Sequence, residues 1–114
     1  MNTITFDKNK CAEVESAVMR EFDCKYHDLV GYTDTFTKKV VVFLLSKFYI
    51  FDKRNLGVAY QMTYLYVPTV VEQLEFQMFT DVNFRRSVCL ILKELGYASK
   101  VDFKGNKIIT EAVA

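Results

Sequence analysis

The sequence predicts a compact, all-α fold: a bundle of five to six helices that contains a helix-turn-helix, with a candidate small β-hairpin at the C-terminus. Three observations support this fold class. Apolar residues recur at helical spacing through most of the chain. A single proline and four glycines leave little room for long loops. The 114 residues, 51% hydrophobic and 25% charged, suffice for one globular domain with its own core.

The chain is expected to be a single domain with three parts along its length. Residues 1–9 form a short N-terminal arm, residues 10–96 the helical core, and residues 97–114 a C-terminal hairpin or tail. This last part contains two short alternating runs around Lys104-Gly105-Asn106. Such a pattern is typical of two strands joined by a tight turn, so it predicts the β-hairpin.

Two helical segments are expected before the most apolar part of the chain. Residues 10–23 form an amphipathic helix. Residues 25–30 can add one or two turns before Gly31, because glycine suits the left-handed conformation at a helix end. The apolar face of the first helix consists of Cys11, Val14, Val18 and Phe22.

The most apolar stretch, VVVFLL at residues 40–45, lies in the centre of a segment that runs from Phe36 to about Phe51. Its β-branched residues favour a strand. The segment is longer than an ordinary strand, however, and no turn residue interrupts it, so we predict a helix. A helix that is apolar on nearly all sides is expected to be buried at the centre of the fold.

Residues 55–79 have the pattern of a helix-turn-helix. Asn55 is the predicted cap of a short first helix, and Ala59 is the small residue expected to let the second helix cross closely. The second helix, residues 68–79, begins with Pro68, whose missing N–H costs nothing at an early helical position. The first helix takes its apolar face from Leu56, Val58 and Ala59. The second takes its face from Val70, Val71, Leu74 and Met78.

A last helix is predicted at Val82–Leu95. Thr80 or Asp81 can cap its start, and Gly96 is placed to end it. Its arginines and lysine fall on the solvent side of an amphipathic pattern. The apolar stripe consists of Phe84, Val88, Ile91, Leu92 and Leu95.

Composition argues against several functional classes. Three cysteines without a C-x-x-C pair and one histidine do not suit a structural zinc site. The N-terminus lacks the apolar segment of a signal peptide, and the longest apolar run is far shorter than a membrane span. No nucleophile with its base, paired carboxylates or glycine-rich phosphate loop is indicated. We therefore expect a cytoplasmic protein that is not an enzyme, needs no cofactor or metal, and has no membrane partner.

Four short motifs occur in a familiar order: Phe22 followed by Asp28-Leu29-Val30, then Lys38-Lys39 opening an apolar helix, then Thr69-Val70, then Asp81-x-x-Phe84-Arg85. In this order, across roughly residues 14–95, the chain resembles the C-terminal DNA-binding domain of the bacterial replication initiator DnaA, a Trp-repressor-like helix-turn-helix. Thr69-Val70 matches the end of that family's Asp-His-Thr-Thr-Val signature. The resemblance implies double-stranded DNA as partner and a role related to transcription or replication.

Residues around the predicted helix-turn-helix are candidate DNA contacts. Tyr66, Thr69 and Gln73 would face base edges if the second helix lies in the major groove. Basic side chains that flank the motif in sequence could contact phosphates. These are Lys38, Lys39, Lys53 and Arg54. The same residues can also form an ordinary helix start and a solvated charged rim.

Other features favour a different function, a degenerate helix-turn-helix that acts as a protein–protein interaction or homo-oligomerisation module without DNA binding. The net charge is only +1, whereas dedicated nucleic-acid binders usually have a basic excess. Glu72 and Glu75 lie in the second helix. Three tyrosines at the corner between the two predicted helices can stack on bases or form a protein interface. They are Tyr60, Tyr64 and Tyr66.

Overall fold

Five α-helices and one antiparallel β-hairpin make up the part of the chain that the computed structural model describes, residues 6–97, 101–105 and 107–110. The predicted helical bundle with a C-terminal hairpin is therefore confirmed. The helices are α1 (Lys8–Phe22), α2 (Phe36–Lys47), α3 (Lys53–Ala59), α4 (Val67–Thr80) and α5 (Val82–Leu95). A 3₁₀ turn at Tyr26–Asp28 precedes α2, and the hairpin consists of β1 (Val101–Lys104) and β2 (Lys107–Thr110).

The first helix, α1, begins two residues earlier than predicted because Asp7 caps it. The Asp7 carboxylate accepts a hydrogen bond from the Asn9 backbone N–H at 2.8 Å. Lys8 and Asn9, which the sequence assigned to the N-terminal arm, therefore belong to α1, and residues 1–5 lie outside the described residues. At the other end, Asp23 takes the left-handed conformation, with φ of 50°. The buried face consists of Cys11, Val14, Ala17 and Val18.

The central helix is α2, and all of residues 40–45 are fully buried. The prediction of a helix here is confirmed, but the helix ends at Lys47 rather than near Phe51. Ile50 is left-handed, with φ of 57°, and the Phe51 N–H donates to the Leu45 carbonyl at 3.2 Å. The backbone therefore reverses before Phe51. Neither α2 nor any other helix in the described ranges is long and apolar enough to cross a membrane.

Helices α1, α2, α4 and α5 enclose the core between them. Helices α1 and α4 both pack against α2, and α5 packs against α1 and α4. The short α3 contacts α2 and α4. Arg20, in the last turn of α1, forms an ion pair with Glu94, in the last turn of α5.

The last two helices, α4 and α5, follow each other with almost no connection. The range predicted for α5, Val82–Leu95, is confirmed. Asp81, rather than Thr80, caps it, because its carboxylate accepts a hydrogen bond from the Phe84 N–H at 3.1 Å. Gly96 ends it in the left-handed conformation, with φ of 82°.

The short helix α3 differs from the prediction in its cap and in its buried face. Asp52, not Asn55, caps it by accepting a hydrogen bond from the Arg54 N–H at 3.0 Å. The face that points inward also differs from the predicted one. Leu56 and Gly57 are buried, whereas Val58 and Ala59 are exposed.

Gly57 is the small residue that permits a close approach, a role that the sequence pattern assigned to Ala59. A Cβ at position 57 would lie 2.5 Å from the Met62 carbonyl oxygen and 3.2 Å from the Tyr64 backbone nitrogen. Real Cβ atoms do not approach backbone this closely, so a glycine is required for the chain after α3 to turn back over the helix. The close contact observed at α3 thus differs from the predicted one: it involves Gly57 rather than Ala59, and it joins α3 to the following turn rather than to α4.

The hairpin has a simple antiparallel register. Val101 pairs with Thr110 and Lys104 with Lys107, and Gly105 in the turn has a positive φ of 59°. Glycine adopts this conformation without strain. Ile108 is buried, so the hairpin packs on the helical core with this side chain facing inward. The remainder of the predicted tail, at residues 98–100, 106 and 111–114, lies outside the described residues.

Candidate nucleic-acid interface at the α3–α4 corner

The turn between α3 and α4, residues 60–66, presents two tyrosines beside the start of α4. We call these residues the α3–α4 corner. The Met62 N–H donates to the Gly57 carbonyl at 2.9 Å, which folds the chain back after α3. Tyr64 and Tyr66 follow this reversal. Tyr64 is exposed and Tyr66 is half-buried against the core. Each tyrosine therefore has ring surface available to charged neighbours.

Three of the four basic residues named from the sequence converge on these two rings. The Lys39 ammonium lies 5.7 Å from the Tyr66 ring centre. The Lys53 ammonium and the Arg54 guanidinium lie 5.8 and 5.0 Å from the Tyr64 ring centre. A cation near an aromatic face is attracted by the ring's quadrupole. The fold thus gathers cations from α2 and α3 around the corner.

The exposed face of α4 continues from this corner. Thr69 and Gln73 are both exposed and lie four residues apart, so they follow each other on one side of the helix. No side chain caps the N-terminal end of α4, and Pro68 there has no N–H. The Val67 N–H is bonded to the Tyr64 carbonyl at 3.3 Å, and the start of an α-helix carries a partial positive charge from its dipole. The other exposed side chains on this helix up to position 76 are Pro68, Glu72 and Phe76.

Lys38, the fourth basic residue named from the sequence, is directed into the protein and is fully buried. Its ammonium lies 2.7 Å from an Asp34 carboxylate oxygen and donates a hydrogen bond to the Gly31 carbonyl at 2.9 Å. A buried lysine needs such partners, because an unpaired charge is costly away from water. Lys38 therefore tethers the loop before α2 and is omitted from the interface proposed below.

Tyr60 does not belong to the tyrosine surface of the corner, because it is buried. Its hydroxyl donates a hydrogen bond to a Glu15 carboxylate oxygen at 2.6 Å, which links α3 to α1. Burial, together with this hydrogen bond, raises the pKa of Tyr60 well above its ordinary value. The phenol therefore stays neutral and has a structural role. The aromatic surface expected from three tyrosines is formed by Tyr64 and Tyr66.

A residue that the sequence analysis did not select, Lys107, lies beside the same helix. Its exposed side chain lines a groove of about 550 Å³ together with Thr69, Gln73 and Phe76 of α4. Glu72 and Glu75 also line this groove. The hairpin pattern in the sequence predicts a turn near Lys107 but not the helix against which the hairpin packs. Only the tertiary structure brings this lysine to the face that holds two predicted contacts.

Comparisons of the chain with protein-family models, with curated proteins and with solved structures gave no match. The resemblance to the replication initiator domain thus stays a prediction from the sequence. Within the part of the chain that the structure describes, no three His, Cys, Asp or Glu side chains are grouped so as to hold a metal ion. The functional inference therefore rests on the geometry of the α3–α4 corner and of α4.

Proposed function

We propose that this protein binds double-stranded DNA through α3, the α3–α4 corner and α4, acting as a helix-turn-helix in a role related to transcription or replication. The observation that carries this proposal is the convergence of Lys39, Lys53 and Arg54 on Tyr64 and Tyr66. Neutralisation of phosphates supplies most of the affinity for generic DNA. A group of three cations beside an exposed helix is suited to that contact.

In this proposal, α4 lies in the major groove and its first two turns face the base edges. Thr69 and Gln73 provide a hydroxyl and an amide that can bond to bases, with Gln suited to adenine. Tyr66 sits at the start of the helix, beside Lys39. The positive end of the helix dipole and the three cations lie together, so they favour a phosphate beside the helix start.

The tyrosine rings contribute by restricting the basic side chains. Lysine and arginine side chains lose conformational entropy when a ligand fixes them. Contacts with Tyr64 and Tyr66 already hold these side chains near the corner before DNA arrives. The cost of ordering them on binding is therefore smaller. A cation–π contact leaves the N–H donors at the cation's rim available for phosphate oxygens.

Glu72 limits where the phosphates can lie. Its exposed carboxylate is on α4, one residue before Gln73, and it repels a nearby phosphate. A carboxylate can accept a hydrogen bond from the cytosine amino group in the major groove. The proposal therefore puts base edges opposite Glu72 and Gln73 and the phosphates at the corner.

The proposal is tested by titrating the purified protein into a labelled mixed-sequence DNA duplex and following fluorescence anisotropy over a range of salt concentrations. If the protein makes three phosphate contacts, the logarithm of its association constant for DNA should fall with the logarithm of the salt concentration with a slope of about −3. The triple variant Lys39→Glu, Lys53→Glu, Arg54→Glu should abolish binding. Absence of binding by the wild-type protein at low salt would refute the proposal.

A matched control distinguishes the effect of the corner residues on DNA affinity from the effect of the protein's net charge. Lys8, Lys25 and Lys93 are also exposed, but they lie on α1, before the 3₁₀ turn and on α5. Replacing these three with glutamate changes the net charge by the same amount as the corner variant. The control should retain most of the affinity. Equal losses in both triple variants would mean that only overall charge matters and that the corner is not the interface.

A second candidate function is self-association, and exposed apolar side chains favour it. Val58 of α3 is 84% exposed, and Leu65 of the corner and Phe76 of α4 are each 66% exposed. Large apolar side chains exposed on the surface are candidates for a protein interface. Sedimentation velocity over a range of protein concentrations tests this candidate without DNA. A dimer that is lost in the Leu65→Ser, Phe76→Ser variant would support it, and a monomer at all concentrations would exclude it.

A further inference from the structure

The C-terminal hairpin is attached to α4 through Glu75. One carboxylate oxygen of Glu75 accepts a hydrogen bond from the Ile108 backbone N–H at 2.9 Å. The same oxygen lies 3.1 Å from the Lys47 ammonium of α2. A single carboxylate thus joins a strand, α4 and α2. A hydrogen bond to a charged acceptor is stronger than a neutral one, so this contact fixes β2 against the helix.

An aromatic contact attaches the other strand. The Arg85 guanidinium of α5 lies 4.4 Å from the ring centre of Phe103 in β1 and 5.7 Å from that of Phe79 in α4. The two rings also meet edge-to-face, with centres 6.0 Å apart. A guanidinium near an aromatic face and an edge-to-face ring pair are both attractive contacts. Together with the buried Ile108, they determine which side of the helices the hairpin occupies.

These attachments position Lys107 against the exposed face of α4. The groove that Lys107 lines is formed with five residues of α4, Thr69, Glu72, Gln73, Glu75 and Phe76. Lys107 therefore places a cation beside Thr69 and Gln73, the two side chains proposed to reach base edges. The Glu75 carboxylate in this groove is engaged by Lys47 and by the Ile108 N–H, so Glu72 is the carboxylate that a phosphate beside Lys107 has to avoid.

We propose that the C-terminal hairpin is a second DNA-contacting element, in which Lys107 binds a backbone phosphate beside the base edges that Thr69 and Gln73 face. This inference rests on the proposed function and adds to it a residue and a second element of the protein. Glu75 acts as a positioning residue, since its charge is engaged by Lys47 and by the Ile108 N–H. Lys107 supplies the charge that faces the phosphate.

Substitution of Lys107 tests the inference in the full chain, with the same labelled duplex. We expect Lys107→Gln to lower the affinity about threefold to tenfold and to reduce the steepness of the salt dependence by about one. Lys107→Arg should keep both near the wild-type values, because it retains the charge. Lys93→Gln, an exposed lysine of α5, is the matched control and should leave both unchanged.

A crosslinking experiment identifies the contact directly. Benzoylphenylalanine placed at position 107 should crosslink to the duplex under illumination, and the same amino acid at position 93 should not. Because Lys107 is exposed, the substitution does not disturb the core. Equal crosslinking from both positions would overturn the inference.

The outcomes distinguish this inference from the function on which it rests. If the wild-type protein does not bind the duplex, the proposed function fails and the hairpin contact fails with it. If the wild type binds and the corner variant does not, while Lys107→Gln keeps the wild-type affinity and salt dependence, only the hairpin contact is refuted. If the corner variant and Lys107→Gln both bind the duplex more weakly, and Lys93→Gln binds it as the wild type does, both proposals are supported.

Discussion

Lys38 and Lys39 are neighbours in the sequence, yet the fold gives them opposite environments. Lys38 is fully buried and bound to Asp34 and to the Gly31 carbonyl. Lys39 is half-buried, and its ammonium lies over the Tyr66 ring at the corner. One lysine therefore stabilises the loop before α2, and the other contributes charge to the proposed interface. The two roles can be separated by the same substitution at each position.

We expect Lys38→Met to lower the free energy of unfolding by about 1–3 kcal/mol, because it removes the partner of a carbonyl and a carboxylate. The salt dependence of DNA binding should not change. Lys39→Met should alter stability by less than about 0.5 kcal/mol and make the salt dependence less steep by about one. Urea denaturation and anisotropy titrations measure the two effects. The reverse assignment would be indicated if Lys38→Met changed binding without changing stability.

Gly57 is the second position where one residue decides local structure. We expect Gly57→Ala to destabilise the protein by about 1–3 kcal/mol, because the added Cβ overlaps the Met62 carbonyl oxygen and forces the turn to move. On an unconstrained helix the same change would stabilise by about 1 kcal/mol. Val58→Ala, at an exposed position of the same helix, is the control and should change stability little. A Gly57→Ala variant as stable as the wild type would contradict the close contact.

At the scale of elements, one of the contacts that attach the hairpin, the bond from the Ile108 N–H to Glu75, depends on the ionisation of a side chain. Burial opposes ionisation of Glu75, but the Ile108 N–H and the Lys47 ammonium outweigh it and hold the pKa of this carboxyl below its ordinary value. The unfolded chain therefore binds the proton more tightly than the folded chain. The stabilisation is fully present above the ordinary glutamate pKa, about 4.3, and is lost as the pH falls through the lower folded value.

We expect the Ile108 amide resonance to move on acidification, with a midpoint below the ordinary glutamate pKa, as protonated Glu75 weakens its bond to this N–H. A ¹H–¹⁵N NMR titration follows this change. In Glu75→Gln the same resonance should have no such midpoint, because the amide does not titrate. A midpoint at or above the ordinary glutamate pKa in the wild type would show that the carboxylate does not hold the hairpin as described.

Elements whose signals are local were predicted well from the sequence. Helix α5 has an aspartate cap, an amphipathic stripe and a terminal glycine, and its predicted range agrees with the structure. Helix α2 was identified correctly, but its end was placed too late, because nothing in the sequence indicates that Ile50 turns left-handed. For α3, Asp52 and Asn55 are both competent caps. The choice between them depends on which face packs inward, which is a tertiary property.

At the scale of the whole molecule, the candidate site was predictable in part. A position flanking the predicted helix-turn-helix in sequence selected Lys39, Lys53 and Arg54. Burial of Lys38 could not be foreseen, because it depends on the loop that returns Gly31 and Asp34 to the start of α2. Lys107 was missed for a related reason, since a hairpin pattern does not reveal which helix the hairpin covers.

The hydrogen bond between Tyr60 and Glu15 has a consequence for how small an active fragment can be. A fragment that begins at α2 would contain every residue proposed to contact DNA. It would also leave the Tyr60 hydroxyl without its acceptor and expose the side of α2 that α1 covers. The smallest autonomous unit that contains the proposed interface therefore extends back to α1, well before the two helices that would read the DNA.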